Sequence, residues 1–264
     1  MALKLASWNV NSIRSRIEHV LLFLNKEDPD ILLLQETKCE DVGFPEESFL
    51  GHPYNISKFG QKSYNGVAVL SKMPVDEIKT NFPGNPCEDQ ARFIEITCQT
   101  SIGYTRIISV YVPNGGSIGS DKFAIKLQFY DALTNYLTSI KRSDEHLIIG
   151  GDFNVSPFDI DVYSPQDCAN TLCFSGIEKN KFRSLLNSGF EDLYRLYAPH
   201  AQEFSWWDYR AGAFAKDLGL RIDMILASPH SADMLLNCYI AKYYRTLEKP
   251  SDHAPVVAVF GSTS

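Results

Sequence analysis

Apolar residues fall along this chain in two patterns. The first is the short unbroken run, plainest at residues 31–34 (Ile-Leu-Leu-Leu). Such a run suits a strand buried on both faces. Residues 4–9, 75–80, 92–97, 105–112, 147–149, 221–226, 238–244 and 256–260 are predicted as further strands. Residues 54–59 and 67–70 read as a hairpin, with Asn65-Gly66 supplying turn residues. The second pattern is helical spacing. Ile13, Ile17, Val20, Leu21 and Leu24 share one helical face, and Pro29 ends it. Phe129, Leu133, Tyr136, Leu137 and Ile140 mark another helix, and residues 181–186 a third.

Strands outnumber helices and are adjacent in sequence in both halves. That order predicts an α/β chain of two packed sheets with helices outside, and not a doubly wound nucleotide fold. Neither a GxGxxG nor a Walker loop occurs. Residues 115–120, Gly-Gly-Ser-Ile-Gly-Ser, follow a strand at the wrong spacing for either and read as a flexible loop. No repeat or linker composition divides the chain, so residues 1–264 are expected to form one domain.

Composition narrows the function classes. A hydrophobic fraction of 44% supplies a sizeable core, yet no apolar run reaches membrane-spanning length, and residues 1–6 are expected not to act as an export signal. The six cysteines, at 39, 87, 98, 168, 173 and 238, form no CxxC and are expected to be reduced thiols. A net charge of −7 argues against binding nucleic acid by bulk electrostatics. It leaves room for a local basic strip, because counterion release depends on local contacts.

Polar residues gather where strands are predicted to end: Asn9, Asn11, Glu36, Tyr111, Asn114, Asp152, Asn154, Asp223, Asp252 and His253. Carboxylates on such loops can hold a hard cation such as Mg²⁺, which takes oxygen ligands and keeps several waters. Phosphodiester hydrolysis needs such a set. It requires a cation at the phosphate, a base for water, and amide or phenol donors for the developing charge. A serine or cysteine nucleophile has no comparable support, since there is no GxSxG and no cysteine lies in a polar motif.

Several blocks resemble the exonuclease III family of class II apurinic/apyrimidinic endonucleases, within the endonuclease/exonuclease/phosphatase superfamily. They are Trp8-Asn9-Val10-Asn11, Leu34-Gln35-Glu36-Thr37-Lys38, Tyr111-Val112-Pro113-Asn114-Gly115 and Gly151-Asp152-Phe153-Asn154-Val155. Phe204-Ser205-Trp206-Trp207-Asp208, Gly219-Leu220-Arg221-Ile222-Asp223 and Pro250-Ser251-Asp252-His253-Ala254-Pro255 complete an ordered set along the whole chain.

The resemblance implies a four-layer α/β sandwich, two packed mixed β-sheets flanked by helices. It implies Glu36 as main metal carboxylate, with Asn9 and Asn11 as ligands or orienting groups and Asp252 on the metal side. Asp152 would activate water, and Asn154 would position that water or the phosphate. Tyr111 and His253 would stabilise the transition state, with Asp223 holding His253. Asn114 would contact a DNA phosphate, while Trp206, Leu220 and Ile222 would wall a pocket for a flipped abasic sugar. Trp207 is expected in the core. Arg92 and Arg210 are candidate DNA contacts.

The expected activity is Mg²⁺-dependent cleavage 5′ to abasic sites in duplex DNA, with Mn²⁺ as a possible substitute. Cleaning of blocked 3′ ends and 3′→5′ exonuclease activity would accompany it, or would predominate over weak abasic-site cleavage. Two further classes compete with this expectation: a phosphodiesterase for RNA, phosphoinositide or sphingomyelin, and a DNA-binding scaffold without catalysis. The expected setting is a monomer, away from membranes, in a bacterial cytoplasm. The chain departs from the family pattern at Ala215-Lys216-Asp217-Leu218, where bacterial members often carry an asparagine and arginines. It also lacks the arginine that some relatives place in the loop at residues 115–120.

Overall fold

The structure is a computed structural model and describes residues 2–143 and 145–261. Twelve strands build it: β1 (Leu3–Asn9), β2 (Ile31–Gln35), β3 (Asn55–Phe59), β4 (Val67–Ser71), β5 (Glu77–Lys79) and β6 (Phe93–Thr100) precede β7 (Gly103–Tyr111), β8 (His146–Asp152), β9 (Glu191–Asp192), β10 (Asp223–Ala227), β11 (Leu235–Ile240) and β12 (Val256–Phe260). The main helices are α1 (Ile17–Glu27), α2 (Asp121–Ile140) and α3 (Gly176–Asn187), joined by the short α4 (Leu193–Tyr197) and α5 (Pro229–Ala232).

The strands form two six-stranded sheets, ordered β11-β12-β1-β2-β4-β3 and β5-β6-β7-β8-β10-β9. Each is mixed: β1 and β2 run parallel, as do β7 and β8, and the other pairs are antiparallel. Alternation along the strands sorts the side chains into layers. Leu5, Leu33, Val69, Ile96, Ile107, Ile148 and Val256 meet between the sheets. Their neighbours Trp8, Leu32, Leu34 and Ala68 face outward to Val20, Phe23 and Leu24 of α1. On the other side Ile108, Val110, Ile149 and Met224 pack against Phe129, Leu133 and Leu137 of α2 and Phe182 of α3. Both sheet faces are therefore apolar, which is why the strands read as continuous runs. The result is the four-layer α/β sandwich expected.

Local signals set the helix ends. Ser120 caps α2 by accepting from Phe123 N at 3.2 Å. Ser175 and Glu178 form a reciprocal capping box on α3. The N-terminus of α1 has no side-chain cap, so it depends on its buried face. Asp28, at φ 46°, ends α1, and Pro29 follows.

Four expectations need correction. Ile13 lies before α1, and its backbone N–H bonds to Thr37 O at 3.1 Å. The strand expected at 238–244 lies at Leu235–Ile240. The chain then turns through a 3₁₀ segment, Lys242–Thr246, because Tyr244 packs its ring on Phe23 at 5.0 Å and Trp8 at 5.6 Å outside the sheet. Asn65-Gly66 is not a tight hairpin turn. Both residues have positive φ, but their carbonyls accept from Lys38 N at 2.9 Å and Thr37 N at 3.1 Å. Arg221 precedes β10 and is drawn inside by Asp161 and Asp192, with Nε to Asp161 Oδ1 at 2.7 Å and Nη2 to Asp192 Oδ2 at 2.7 Å.

Candidate active site

The parallel pairs β1/β2 and β7/β8 end on the same side of the sandwich. Asn9 closes β1, Glu36 follows β2, Tyr111 closes β7 and Asp152 closes β8. Strand β10 enters antiparallel, so its first residue, Asp223, pairs with Asp152. His253 comes from the loop before β12. Beneath them, Gln35 joins the sheets through Ser109 Oγ at 2.9 Å and Ser7 Oγ at 3.2 Å. The sheets close up here: a Cβ on Gly150 would lie 2.6 Å from Leu33 Cδ1.

The loops that present these groups are bent. Asn11, Glu36, Lys38 and Asn154 all have φ between 46° and 53°. Asparagine tolerates that region, whereas for glutamate and lysine it costs of order 1–3 kcal/mol each. The bonds from Thr37 and Lys38 to the Asn65-Gly66 carbonyls, and from Ser12 N to Glu36 O at 2.7 Å, hold the bend.

Among the described residues, the donor atoms of Glu36, Asp152 and His253 lie within 4.8 Å of one another. Asn9 Nδ2 bridges the two carboxylates, donating to Glu36 Oε1 at 2.8 Å and Asp152 Oδ2 at 3.0 Å. Its Oδ1 accepts from Asn11 N at 3.0 Å. Asn11 Nδ2 donates to Asp252 Oδ1 at 2.9 Å. Both asparagines thus point amide nitrogens at carboxylates. Asp252 is outside the three-residue cluster, and its Oδ2 accepts from Trp206 Nε1 at 3.0 Å. Lys38 Nζ pairs with Glu36 Oε2 at 2.7 Å. An ammonium therefore occupies part of the space that a cation at Glu36 would take. Two neighbouring carboxylates suit a hard divalent ion, which takes oxygen ligands.

His253 Nδ1 lies 2.8 Å from Asp223 Oδ2, and Nε2 faces Asp152 Oδ2 at 3.8 Å. Ser205 Oγ donates to Asp223 Oδ2 at 2.6 Å. Burial alone would lower the imidazole pKa, but the Asp223 charge and hydrogen bond prevail and raise it to about 10. Asp152 moves the same way. Burial, with help from Asp223 and Glu36 against the opposing His253, pushes its carboxyl up to about 7. Glu36 goes down: burial opposes ionisation, but Lys38 and Asn9 outweigh it. Burial, reinforced by Glu36 and Asp152, raises the Tyr111 phenol well above its ordinary value, keeping it a donor.

Glu36, Tyr111, Asp152 and His253 line a 330 Å³ cavity, together with Asn114, Asn154, Leu172, Cys173, Trp206, Leu220, Ile222 and Asp252. Asn154 donates from Nδ2 to Val112 O at 2.9 Å and accepts at Oδ1 from Asn114 Nδ2 at 3.1 Å. Trp206 is fixed by backbone bridges to Leu220 and His253, which sets the apolar wall beside the imidazole. Trp207 is buried in the core. Arg92 lies outside this cavity, in an adjoining hollow that shares Asn114, with its guanidinium 4.7 Å over the Tyr111 ring. Arg210 is not brought in: it stands exposed and forks onto Asp208 at 2.6 and 2.9 Å.

Lys38, Leu172, Cys173 and Ser205 were missed by sequence reasoning. Lys38 could have been found, two residues from Glu36 in a bent loop. Leu172 and Cys173 come from a long loop that carries no motif.

The chain matches the Endonuclease/Exonuclease/phosphatase family over residues 6–253. It is 35% identical to exodeoxyribonuclease III of Haemophilus influenzae, covering 98% of this chain and all of that protein. Its fold superposes on a 3′ phosphatase from Neisseria bound to a product DNA hairpin, with TM-score 0.94, 36% identity and coverage of 98% of this chain and 100% of the other. An AP endonuclease from Archaeoglobus fulgidus matches with TM-score 0.93 and 38% identity over the same shares.

Proposed function

The chain belongs to the endonuclease/exonuclease/phosphatase family, in its exonuclease III branch, and from that premise we propose a Mg²⁺-dependent DNA repair nuclease that cuts 5′ to abasic sites. The observation that carries this is the convergence of Glu36, Asp152 and the His253–Asp223 pair beside an apolar wall in one small cavity. Bound Mg²⁺, or Mn²⁺ in its place, supplies charge neutralisation at the phosphate and the leaving oxygen. Glu36 would hold it, with Asp152 at its side.

The chain's own groups do the rest. Asp152, with a carboxyl near neutrality, takes the proton of the attacking water. Asn9 and Asn154 fix where that water sits. His253, kept protonated by Asp223, directs Nε2–H at a phosphate oxygen, and Tyr111 directs its phenol there. Trp206, Leu220 and Ile222 accept a sugar without its base and exclude an intact nucleotide. Asn114 and Arg92 hold the flanking backbone, and Arg210 reaches DNA only by leaving Asp208. The same reading carries a monomer acting in a bacterial cytoplasm.

A second reading, mainly 3′-end processing, is favoured by the similarity to the 3′ phosphatase and by the lack of arginine at residues 115–120. A labelled duplex with one abasic site and its intact twin separate the two, each incubated with Mg²⁺ and with EDTA. Mg²⁺-dependent incision 5′ to the site is expected. Shortening of both duplexes from their 3′ ends alone would reject the pocket assignment.

A further inference from the structure

Lys126 lies on the inner face of α2 and is completely buried, as is Glu178 at the start of α3. A buried ammonium has three protons to place. One goes to Glu178 Oε1. The others go to main-chain carbonyls, Asn154 O at 2.7 Å and Asn114 O at 3.1 Å. Those carbonyls belong to the two asparagines that meet side chain to side chain across the cavity rim. Glu178 is equally occupied. It accepts from Cys173 N at 3.1 Å, Ser175 N at 3.1 Å and Ser175 Oγ at 2.6 Å. The pair therefore ties the β7–α2 connection and both ends of the β8–α3 connection to two helices from beneath, without lining the cavity.

We propose that Lys126 is a positioning residue for hydrolysis, acting through Asn154 and Asn114, and that Glu178 extends its hold to the wall residues Leu172 and Cys173. Asn154 sits at φ 50°, with its N–H on Asp152 Oδ1 at 2.9 Å, so the peptide group before it is fixed by Asp152 and the one after it by Lys126. Removing the ammonium frees the second side. The amide that orients water then loses its aim, and misplacement of about 1 Å costs about 10² in rate. Gly115 fits the same arrangement: at φ 96° it passes over Lys126, where a Cβ would stand 3.0 Å from Lys126 Cδ.

This inference rests on the phosphodiesterase reading of the site, and its test separates the two. Lys126→Met/Glu178→Gln removes both charges, leaves no unpaired ion and keeps an acceptor for the Ser175 cap. Wild type and the double variant are compared for thermal melting, for kcat and KM on an abasic duplex with Mg²⁺, and for the amide resonances of Gly115 and Val155, whose peptide groups contain the two carbonyls. Expected are similar melting, a kcat lower by about 10²-fold, a KM changed by less than about threefold, and displaced resonances. Wild-type kcat with unmoved resonances overturns the role of Lys126. If wild type does not cleave, the reading of the site fails, and the resonances alone decide whether Lys126 sets the two peptide groups. Lys126→Gln/Glu178→Gln replaces the double variant if that one does not fold, and is judged by the same measures.

Discussion

Two buried charge clusters lie on either side of Ile222, and they are built on opposite principles. Around Arg221 the charges balance. Its guanidinium forks onto Asp161 at 2.7 and 3.0 Å and onto Asp192 at 2.7 and 3.1 Å, and Arg195 completes Asp161. Around His253 they do not. Glu36, Asp152 and Asp223 face one imidazolium, and Lys38 compensates only at the edge. Equal counts, with both guanidiniums bonded to these carboxylates, make a closed brace. A surplus of carboxylate leaves positive charge to be supplied from outside, as a metal site requires.

Three experiments would break or sharpen that contrast. We predict the largest effect for Asp152→Asn, a loss of about 10²–10⁴ in turnover on abasic DNA with melting preserved; near wild-type turnover would remove Asp152 as the base. Arg221→Met should act on stability instead. It leaves Asp161 and Asp192 partly unpaired inside the protein and should cost about 3–5 kcal/mol in urea unfolding. A loss of less than about 1 kcal/mol would mean that the brace contributes little.

The smallest effect concerns pH. His253 is raised from 6.5 to about 10 and Asp152 from 3.8 to about 7, so the folded site keeps protons that the unfolded chain has released. The site's contribution to stability therefore falls as pH climbs from about 4 to about 10. Urea midpoints of metal-free protein should decline across that window for this reason, and Mg²⁺, which displaces protons, should flatten the decline. If Asp223→Asn with EDTA reproduces the wild-type profile above pH 7, the imidazole assignment is wrong.

What the sequence disclosed follows from the range of each interaction. Continuous runs such as residues 31–34 announced covered strands, and the polar residues after them announced a shared edge, because strand and loop are neighbours in the chain. Register across distance was hidden. Nothing local says that Lys126 will meet Glu178, or that Arg221 will be drawn inward by carboxylates 60 and 29 positions away. The misplaced strand at 238–244 has the same origin. Tyr239 and Tyr244 are alike to a pattern, but the second is held outside the sheet by Trp8 and Phe23. Asn65-Gly66 shows a subtler case. Its left-handed preference was legible, whereas its use, as acceptors for the bent Glu36 loop, was not.

The pairing of β1 with β12, Leu3 opposite Phe260, has a consequence for the order of synthesis. Strands β5 to β10 form a complete sheet from one continuous stretch, while the other sheet joins the two extremities of the described chain. Glu36 and Asp152 leave the ribosome long before His253 does. Until β12 docks beside β1, the growing chain has carboxylates but no imidazole at the cleft.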